Sequence, residues 1–254
     1  MRLPRTANMR ISRIHTAQHL SHGQLVTLEP GASRYLARVL RLAVGDEFVL
    51  FNGDGHDYMA RIEALAQDSA RIRVGSPSAP ELPPMLRITL ALGISKGERM
   101  DLALQKAVEL GVSELQPLFT ERSMVRLRDQ RLRKRMQHWH GIVVSACEQS
   151  GRRWLPLLSE PLRFSDWLEQ APTRGLLLDH RSDRPLTTLP APLDNSLTLL
   201  VGPEGGLAPS ERNAAVQHGL IGVCLGPRVM RAETAPLAAI AAVQTLWGDF
   251  RQSH

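Results

Sequence analysis

A glutamate stands in the middle of a glycine-rich turn, Gly-Pro-Glu-Gly-Gly at residues 202–206, where a carboxylate could do chemistry. The turn follows an apolar run at residues 197–201 and precedes Pro209-Ser210-Glu211, a typical helix start. Strand, glycine turn and helix are the usual elements of a nucleotide site in an α/β protein. A phosphate is disfavoured here, because Glu204 would repel it and Pro203 offers no N–H. We therefore expect a ligand that is uncharged or positive at its reacting end.

A second glycine-proline corner, Gly226-Pro227, follows an apolar run at residues 223–225 and precedes an alanine-rich helix. The stretch at residues 175–180, Gly-Leu-Leu-Leu-Asp-His, is a third candidate strand that ends in polar residues. Because parallel strands end at the same edge of a sheet, these turns could wall a single pocket. S-adenosylmethionine fits such a pocket, since it contains adenosine without a phosphate and its sulfonium is a cation. We expect it to be the cofactor.

The turns that could do chemistry belong to an α/β region, and a β-rich region precedes it. Residues 10–74 contain several short alternating runs and an Asn-Gly-Asp-Gly hairpin signal at residues 52–55, which is typical of a small barrel. Residues 75–85 contain four prolines and predict a linker. Beyond them, strands alternate with helices, which predicts a mostly parallel sheet. The helix predicted at residues 97–112 ends at Gly111 and has an apolar stripe formed by Met100, Ala103, Leu104, Ala107 and Val108.

The 254-residue chain carries a net charge of +6, and its basic residues concentrate in two blocks. Residues 1–41 contain seven arginines and one acidic residue, and residues 121–153 contain nine lysines or arginines and three acidic residues. Two basic blocks on an otherwise acidic body favour a phosphate-lined partner such as nucleic acid. No apolar run is long enough to span a membrane and no signal peptide is evident. The two cysteines sit in apolar segments and indicate free thiols, so we expect a cytoplasmic protein.

Four motifs together resemble the RsmE-type family of SPOUT RNA methyltransferases: KGERMDLALQKAVELGV, ERS…EQSGR, LLVGPEGGLAPSE and LGPRVMRAETA. The resemblance covers essentially the whole chain. It implies methylation of N3 of a uridine in 16S ribosomal RNA of the small subunit, within the 30S particle, with S-adenosylmethionine as the methyl donor. It also implies an N-terminal PUA-like β-barrel at residues 1–77 that binds RNA. The remainder, residues 78–254, would be an α/β SPOUT methyltransferase domain with a C-terminal deep trefoil knot, and the protein a homodimer.

The resemblance further assigns roles to individual residues. The methyl donor pocket would be lined by Leu177, Leu178, Gly202, Glu204, Gly205, Gly206, Leu225, Gly226, Arg228 and Met230. RNA would be bound by Arg10, Arg13, Arg122, Ser123, Arg126, Gln149 and Arg152. Glycines in the pocket would let the main chain approach the adenine closely. No metal is expected, because His138 and His140 lie two residues apart on a helix and face different directions.

Methyl transfer to N3 of uridine requires the N3 proton to leave. Cations would stabilise the anionic ring, and Arg228, Arg231 and Arg152 are candidates for that role. Alternatively, Glu204 or Glu233 would accept the proton. Each glutamate also has a structural interpretation, in which Glu204 binds a helix terminus or backbone groups and Glu233 balances the start of the last helix. The sequence leaves these alternatives open.

Two positions depart from the family's pattern. Ala208 replaces a serine or threonine ahead of Pro209, which removes a helix cap worth about 1 kcal/mol that Glu211 partly offsets. Ala232 replaces a hydroxyl residue near the second corner. Two other functions also stay open: a SPOUT methyltransferase acting on another RNA such as tRNA, and a catalytically inactive RNA-binding ribosome assembly factor. Damaged glycine turns would favour the inactive factor, and both turns are intact.

Overall fold

The computed structural model describes residues 11–66, 68–123, 129–171 and 174–251. The chain forms two compact units, the first comprising Met1–Leu82 and Cys147–Leu155 and the second comprising Pro83–Ala146 and Pro156–His254. The first crossing between units lies in the proline-rich stretch that the sequence marks as a linker. No helix among the described residues has the length and apolar character that crossing a membrane requires.

The first unit contains a five-stranded mixed sheet in the order β1-β3-β4-β5-β2. Its strands are β1 (Arg13–His15), β2 (Leu25–Thr27), β3 (Glu47–Phe51), β4 (Tyr58–Leu65) and β5 (Ala70–Pro77). The predicted hairpin is confirmed, since β3 and β4 are antiparallel neighbours on either side of the Asn-Gly-Asp-Gly turn. Helix α1 (Pro30–Arg34) continues into a π-helical turn at Tyr35–Val39. Buried residues alternate along most of β4 and β5, so each strand gives one face to the core.

The segment Cys147–Leu155 packs on the hairpin turn of this unit and accounts for two of its glycines. A Cβ at Gly53 would lie 2.5 Å from Leu155 Cδ1, and a Cβ at Gly55 would overlap the ring of Trp154. Both glycines also have positive φ, 86° and 92°. Only glycine therefore satisfies both the turn and the contact.

The second unit contains a parallel sheet in the order β12-β10-β11-β6-β7-β8, with β9 also beside β7. Its strands are β6 (Arg87–Gly93), β7 (Glu114–Phe119), β8 (Leu157–Leu158), β9 (Leu162–Arg163), β10 (Gly175–Leu178), β11 (Ser196–Val201) and β12 (Leu220–Val223). The predicted parallel sheet is thus confirmed. The central strands β6 and β11 are buried along most of their length, as expected for strands covered on both faces.

The described residues form five further α-helices: α2 (Glu98–Glu109), α3 (Asp129–Ser150), α4 (Phe164–Gln170), α5 (Pro209–Gln217) and α6 (Thr234–Trp247). The last turn of α3 belongs to the first unit and the rest of it to the second. The apolar stripe predicted for α2 is confirmed, because its five members are the buried residues of the helix. Gly111 follows α2 with a φ of 91°, a conformation that favours glycine at a helix end.

The strand order brings the ends of β10, β11 and β12 to one edge of the sheet. Leu177 on β10 lies beside Leu200 on β11 and beside Gly222 on β12. The three strands run in the same direction, so the turns that follow them lie next to one another. This edge is where α/β proteins bind ligands, outside the carboxyl ends of the strands.

Candidate functional site

A cavity of about 230 Å³ lies at this edge of the second unit. Every residue that the sequence predicted to line the donor pocket lines this cavity: Leu177, Leu178, Gly202, Glu204, Gly205, Gly206, Leu225, Gly226, Arg228 and Met230. The three strand ends therefore do wall one pocket, as the glycine-proline corners predicted. The contact of each residue with a methyl donor stays a prediction.

The glycines leave part of the cavity open. A Cβ at Gly206 or Gly226 would meet no protein atom within 4 Å, and both residues have positive φ, 67° and 88°. Gly202 differs, because a Cβ there would lie 2.7 Å from the backbone nitrogen of Leu207. The first two keep the backbone accessible to a ligand, whereas Gly202 allows the turn to close on itself.

Glu204 points its carboxylate at the start of α2. Its Oε1 accepts a hydrogen bond from the backbone N–H of Lys96 at 2.9 Å and one from Arg99 Nη1 at 3.3 Å. Burial alone would raise the pKa of Glu204, but the donor groups around its carboxylate, those of Lys96, its own backbone, Arg99 and Ser95, together hold that pKa below its usual value. Glu204 is therefore ionised at neutral pH.

Arg122, predicted to bind RNA, lines the cavity and holds the glycine turn. Its Nη1 donates a hydrogen bond to the carbonyl of Gly205 at 2.9 Å. A Cβ at Gly205 would lie 3.2 Å from Arg122 Cβ, so a larger residue would crowd this contact. Its neighbour Ser123, also predicted to bind RNA, accepts a hydrogen bond from the backbone N–H of Thr120 through Oγ at 3.1 Å. An RNA-binding role for either residue stays a prediction.

An ion pair that the sequence analysis did not assign lies on the cavity wall. Asp179, directly after β10, faces Arg212 Nη1 at 3.5 Å, and both residues line the cavity. The other oxygen of Asp179 accepts a hydrogen bond from the backbone N–H of Arg181 at 3.0 Å. The polar pair that ends the 175–180 stretch was the available signal for Asp179, whereas nothing in the sequence links Arg212 to it.

Three residues near the second corner are predicted to act on the N3 proton or the anionic ring. Arg228 is exposed and lines the cavity. Arg231 is exposed and lies outside the lining, although the adjacent Ala232 contributes to it. Glu233 is the residue before α6 and makes no side-chain capping bond there. Their chemical roles stay predictions.

The missing cap at Ala208 is compensated as expected. Glu211 Oε2 accepts a hydrogen bond from the backbone N–H of Ala208 at 2.9 Å, which occupies an otherwise unpaired donor at the start of α5. Glu211 Oε1 accepts another from the backbone N–H of Glu121 at 2.8 Å. One carboxylate therefore joins the helix start to the segment that carries Arg122.

In the first unit, Arg13 is almost completely enclosed. Its guanidinium pairs with Asp57 Oδ1 at 2.6 Å and donates to the carbonyls of Cys147 at 2.9 Å and Arg152 at 3.2 Å. It also lies 4.5 Å from the centre of the Phe51 ring. The side chain is 11% exposed. These contacts hold the end of α3 and the following turn, so they give Arg13 a structural role, and its predicted RNA contact stays untested.

Neighbouring residues extend this cluster. Arg153 Nε donates to Asp57 at 3.1 Å, and Glu81 accepts the backbone N–H groups of Arg153 and Trp154. Glu148 Oε1 accepts the backbone N–H of His15 at 3.0 Å, and burial raises the pKa of Glu148. The cluster thus holds the end of α3 through Glu148 and the segment after that helix through Arg153 and Trp154.

The other residues predicted to bind RNA differ in their exposure, and two of them lie outside the described residues. Gln149 is exposed at the end of α3 and Arg152 is partly buried beyond it. Arg10 and Arg126 lie outside the described residues. Among the described residues, no cluster of histidine, cysteine and carboxylate groups could hold a metal ion.

Two family profiles match the chain. The profile of the RNA methyltransferase domain matches residues 81–244. The profile of the RNA methyltransferase PUA domain matches residues 28–75.

Curated relatives are similar over most of the chain. The ribosomal RNA small subunit methyltransferase E of Synechocystis sp. is 36% identical, over 87% of this chain and 73% of the relative. The protein of the same name from Buchnera aphidicola subsp. Schizaphis graminum is 32% identical, over 94% of this chain and 98% of the relative.

Two solved structures are similar to this chain in both sequence and fold. A ribosomal RNA small subunit methyltransferase E from Neisseria gonorrhoeae bound to S-adenosyl methionine is 39% identical with a TM-score of 0.90, covering 95% of this chain and 100% of that one. A methyltransferase from Legionella pneumophila in complex with the same cofactor is 35% identical with a TM-score of 0.91, at the same coverage. The similarity therefore includes both units of the chain.

Proposed function

Because the chain belongs to the RNA methyltransferase family, we propose that it transfers a methyl group from S-adenosylmethionine to N3 of a uridine in 16S ribosomal RNA of the small subunit. The observation that carries the proposal is the cavity at the ends of β10, β11 and β12, which both glycine-proline corners line. The Neisseria gonorrhoeae and Legionella pneumophila structures, with bound S-adenosylmethionine, support the choice of donor.

The residues of the cavity fit this donor. Gly206 and Gly226 leave room beside exposed backbone, which suits close contact with an adenosine. The wall carries both acidic and basic groups, among them Asp179 and Arg228. A molecule that contains an ammonium, a carboxylate and a sulfonium needs both signs of charge around it. The glycine turn at residues 202–206 contains no lysine and includes Glu204, and both features disfavour a phosphate beside this turn.

S-adenosylmethionine supplies, when bound, a methyl group on a cationic sulfur that an in-line nucleophile displaces. The protein contributes mainly by holding the uridine nitrogen and that methyl group at the distance of attack. Arg228 lines the cavity and is exposed, which supports a role in which its guanidinium would stabilise negative charge on the uracil ring as the N3 proton leaves. Arg231, Arg152 and Glu233 remain further candidates for handling that charge and proton.

We propose the SPOUT trefoil knot for the second unit. The N–H of Cys224, just beyond β12, donates to the carbonyl of Arg184 at 2.9 Å, and the carbonyl of Cys224 accepts from Leu186 at 3.3 Å. The segment after β10 therefore borders the chain as it leaves β12. Helix α6 then packs on α2 and β11. This course supports a chain that threads behind the segment between β10 and β11.

The remaining parts of the proposal follow the family. The PUA-like barrel at residues 1–77 would bind RNA, and residues 78–254 would form the methyltransferase domain. The protein would act as a cytoplasmic homodimer on 16S ribosomal RNA within the 30S subunit. The two profile matches support the two domain assignments, and the names of the relatives support the ribosomal RNA substrate. The dimer, the cytoplasmic location and the 30S context follow from the family resemblance alone.

The proposal is tested by donor binding and by the position of the modified base. We expect calorimetric titration to show one S-adenosylmethionine site per chain. Mass spectrometry of 16S RNA from a strain lacking the gene should show one unmethylated uridine, which the purified protein remethylates at N3. The methylated position would distinguish substrates, since a change in tRNA alone would favour another RNA. No donor binding at millimolar concentration would favour the inactive assembly factor.

A further inference from the structure

The proton acceptor for N3 remains open, and the surroundings of Glu204 bear on it. Glu204 lies on the turn between β11 and α5, and the residues it contacts lie more than a hundred positions earlier in the chain. Its Oε1 accepts the backbone N–H of Lys96 at 2.9 Å and Nη1 of Arg99 at 3.3 Å. These residues flank the start of α2, so the carboxylate connects the turn to that helix.

Helix α2 has no side-chain cap of its own. The residue before it is Gly97, with a φ of 59°, which has no side chain to accept the free N–H groups of the first turn. A carboxylate is the favoured partner at this place, because the N-terminus of a helix carries partial positive charge. Glu98 and Asp101 lie in the first turn. Glu204 adds a third carboxylate from a distant part of the chain, bonded to the N–H of Lys96 just before Gly97.

Neither oxygen of Glu204 is placed to take a proton from a bound base. Oε1 is engaged by two donors at the start of α2. Oε2 is inaccessible to solvent and has no hydrogen-bond partner among the described residues. A general base must come within hydrogen-bond distance of the proton that it removes. The lowered pKa of Glu204 also makes it a weak base at neutral pH.

The same turn is held at two further points. A Cβ at Gly93, the last residue of β6, would lie 2.5 Å from Cδ and 2.6 Å from N of Pro203, so strand and turn are in direct contact. On the other side, Arg122 donates to the carbonyl of Gly205 at 2.9 Å. Among the described residues, Gly93, Arg122 and the partners of Glu204 thus all contact residues 202–206.

We propose that Glu204 is a positioning residue, whose carboxylate fastens the glycine turn to the start of α2 and so keeps Gly205 and Gly206 in the conformation that binds the methyl donor. The inference rests on the proposed function, because it assumes that this cavity binds S-adenosylmethionine. It gives the motif Lys-Gly-Glu-Arg at residues 96–99 a role as the docking point of the turn. It also removes Glu204 from the candidates for the N3 proton acceptor.

The experiment compares Glu204→Gln and Glu204→Ala in the full-length protein, with Lys106→Ala on the same helix as the control. Lys106 pairs with Glu109 at 2.8 Å and lies outside the cavity lining. The amide keeps an acceptor for the Lys96 N–H and loses the charge, whereas alanine loses both. We expect the Kd for S-adenosylmethionine to rise about 3-fold in Glu204→Gln and about 10-fold in Glu204→Ala. The control should match the wild-type protein.

Kinetics separate positioning from proton transfer. With saturating donor, we expect kcat on RNA to fall by less than about 5-fold in Glu204→Gln, and its dependence on pH to keep the wild-type shape. A loss of about 100-fold or more in kcat, with an unchanged Kd for the donor and an altered pH profile, would identify a general base and overturn the proposal. An unchanged Kd in Glu204→Ala would overturn it too.

Two measurements keep the test decisive. If Glu204→Ala does not fold, Arg99→Ala is measured in its place. The Kd of Arg99→Ala for the methyl donor should rise about 2-fold, and Arg99→Lys should restore the wild-type Kd. An unchanged Kd in Arg99→Ala together with Glu204→Gln would contradict the anchor. If the wild-type protein itself neither binds the donor nor methylates RNA, the proposed function fails, and that failure is distinct from the outcomes above.

Discussion

Arg13 in the first unit and Glu204 in the second each hold a loop with one charged group, yet their environments differ. Arg13 is 11% exposed, and its guanidinium bonds to Asp57, to two backbone carbonyls and to an aromatic face. Glu204 accepts hydrogen bonds from Lys96 and Arg99 through Oε1, and it is 19% exposed while Arg99 is 50% exposed. The first is an enclosed network, and the second is an attachment at the rim of a cavity.

The difference in exposure between the Arg13 and Glu204 contacts indicates that charged groups have different roles in the two units. Removing one member of a buried ion pair leaves the other charge unpaired in a poorly solvated place, which is costly. An exposed pair exchanges readily with water and adds little to folding. The cluster around Arg13 therefore secures the structure of the first unit. The contacts of Glu204 instead attach the glycine turn to the start of α2, and in our proposal this attachment shapes the turn for the methyl donor.

The largest effect is expected from Arg13→Met. Asp57 would lose its shortest partner and the carbonyls of Cys147 and Arg152 would lose a donor, so the free energy of unfolding of the first unit should fall by about 3 kcal/mol. The matched control is Arg34→Met, because Arg34 pairs with Asp68 at 2.9 Å with both side chains about half exposed. Urea titration should show a change within about 0.5 kcal/mol for the control. Equal effects in both variants would show that the enclosed network stabilises the first unit no more than an exposed ion pair does.

A smaller effect is expected from Gly93→Ala in the second unit. The new methyl group would overlap Pro203 Cδ and N, so strand or turn must shift. We expect the free energy of unfolding to fall by about 2 kcal/mol and the donor Kd to rise about 10-fold. Gly141→Ala is the control, since a Cβ there meets nothing within 4 Å and alanine favours a helix by about 0.5–1 kcal/mol. A Gly93→Ala protein with wild-type donor affinity would show that the turn is not held from this side.

The smallest expected effect is a difference in chemical labelling between the two cysteines, one in each unit. Cys147 is buried in the cluster of the first unit, and burial raises its pKa to about 11. Cys224 is partly exposed and lines the cavity. Iodoacetamide should therefore label Cys224 alone in the folded protein at pH 8, because Cys147 stays a buried thiol. Bound S-adenosylmethionine should slow that labelling several-fold, as peptide mass spectrometry would show; labelling indifferent to the donor would place the ligand elsewhere.

Sequence reasoning succeeded where the signal was local. The stripe of α2, the hairpin at residues 52–55 and the parallel sheet follow from periodicity and from turn residues, which act on their immediate neighbours. The pocket wall was also predictable, since apolar strands ending in glycine corners mark where parallel strands finish.

The contacts of individual charged residues were harder to predict. Arg13 lies in a basic block that favours RNA, but its partners include the carbonyl of a residue 139 positions away. Arg122 belongs to the other block and reaches a carbonyl in the glycine turn. A long cationic side chain pairs with whatever acceptor folding brings near, and composition does not encode that acceptor.

The amino-acid sequence by itself determined the elements, the family and the place of the cavity, because periodicity, turn chemistry and motif order are properties of short stretches. Only the tertiary structure decided what Arg13, Arg122 and Glu204 bind. Their partners come from distant segments that meet through the packing of strands and helices. The sequence gives the charge of each side chain, but its bonding partner depends on distances that exist only after folding.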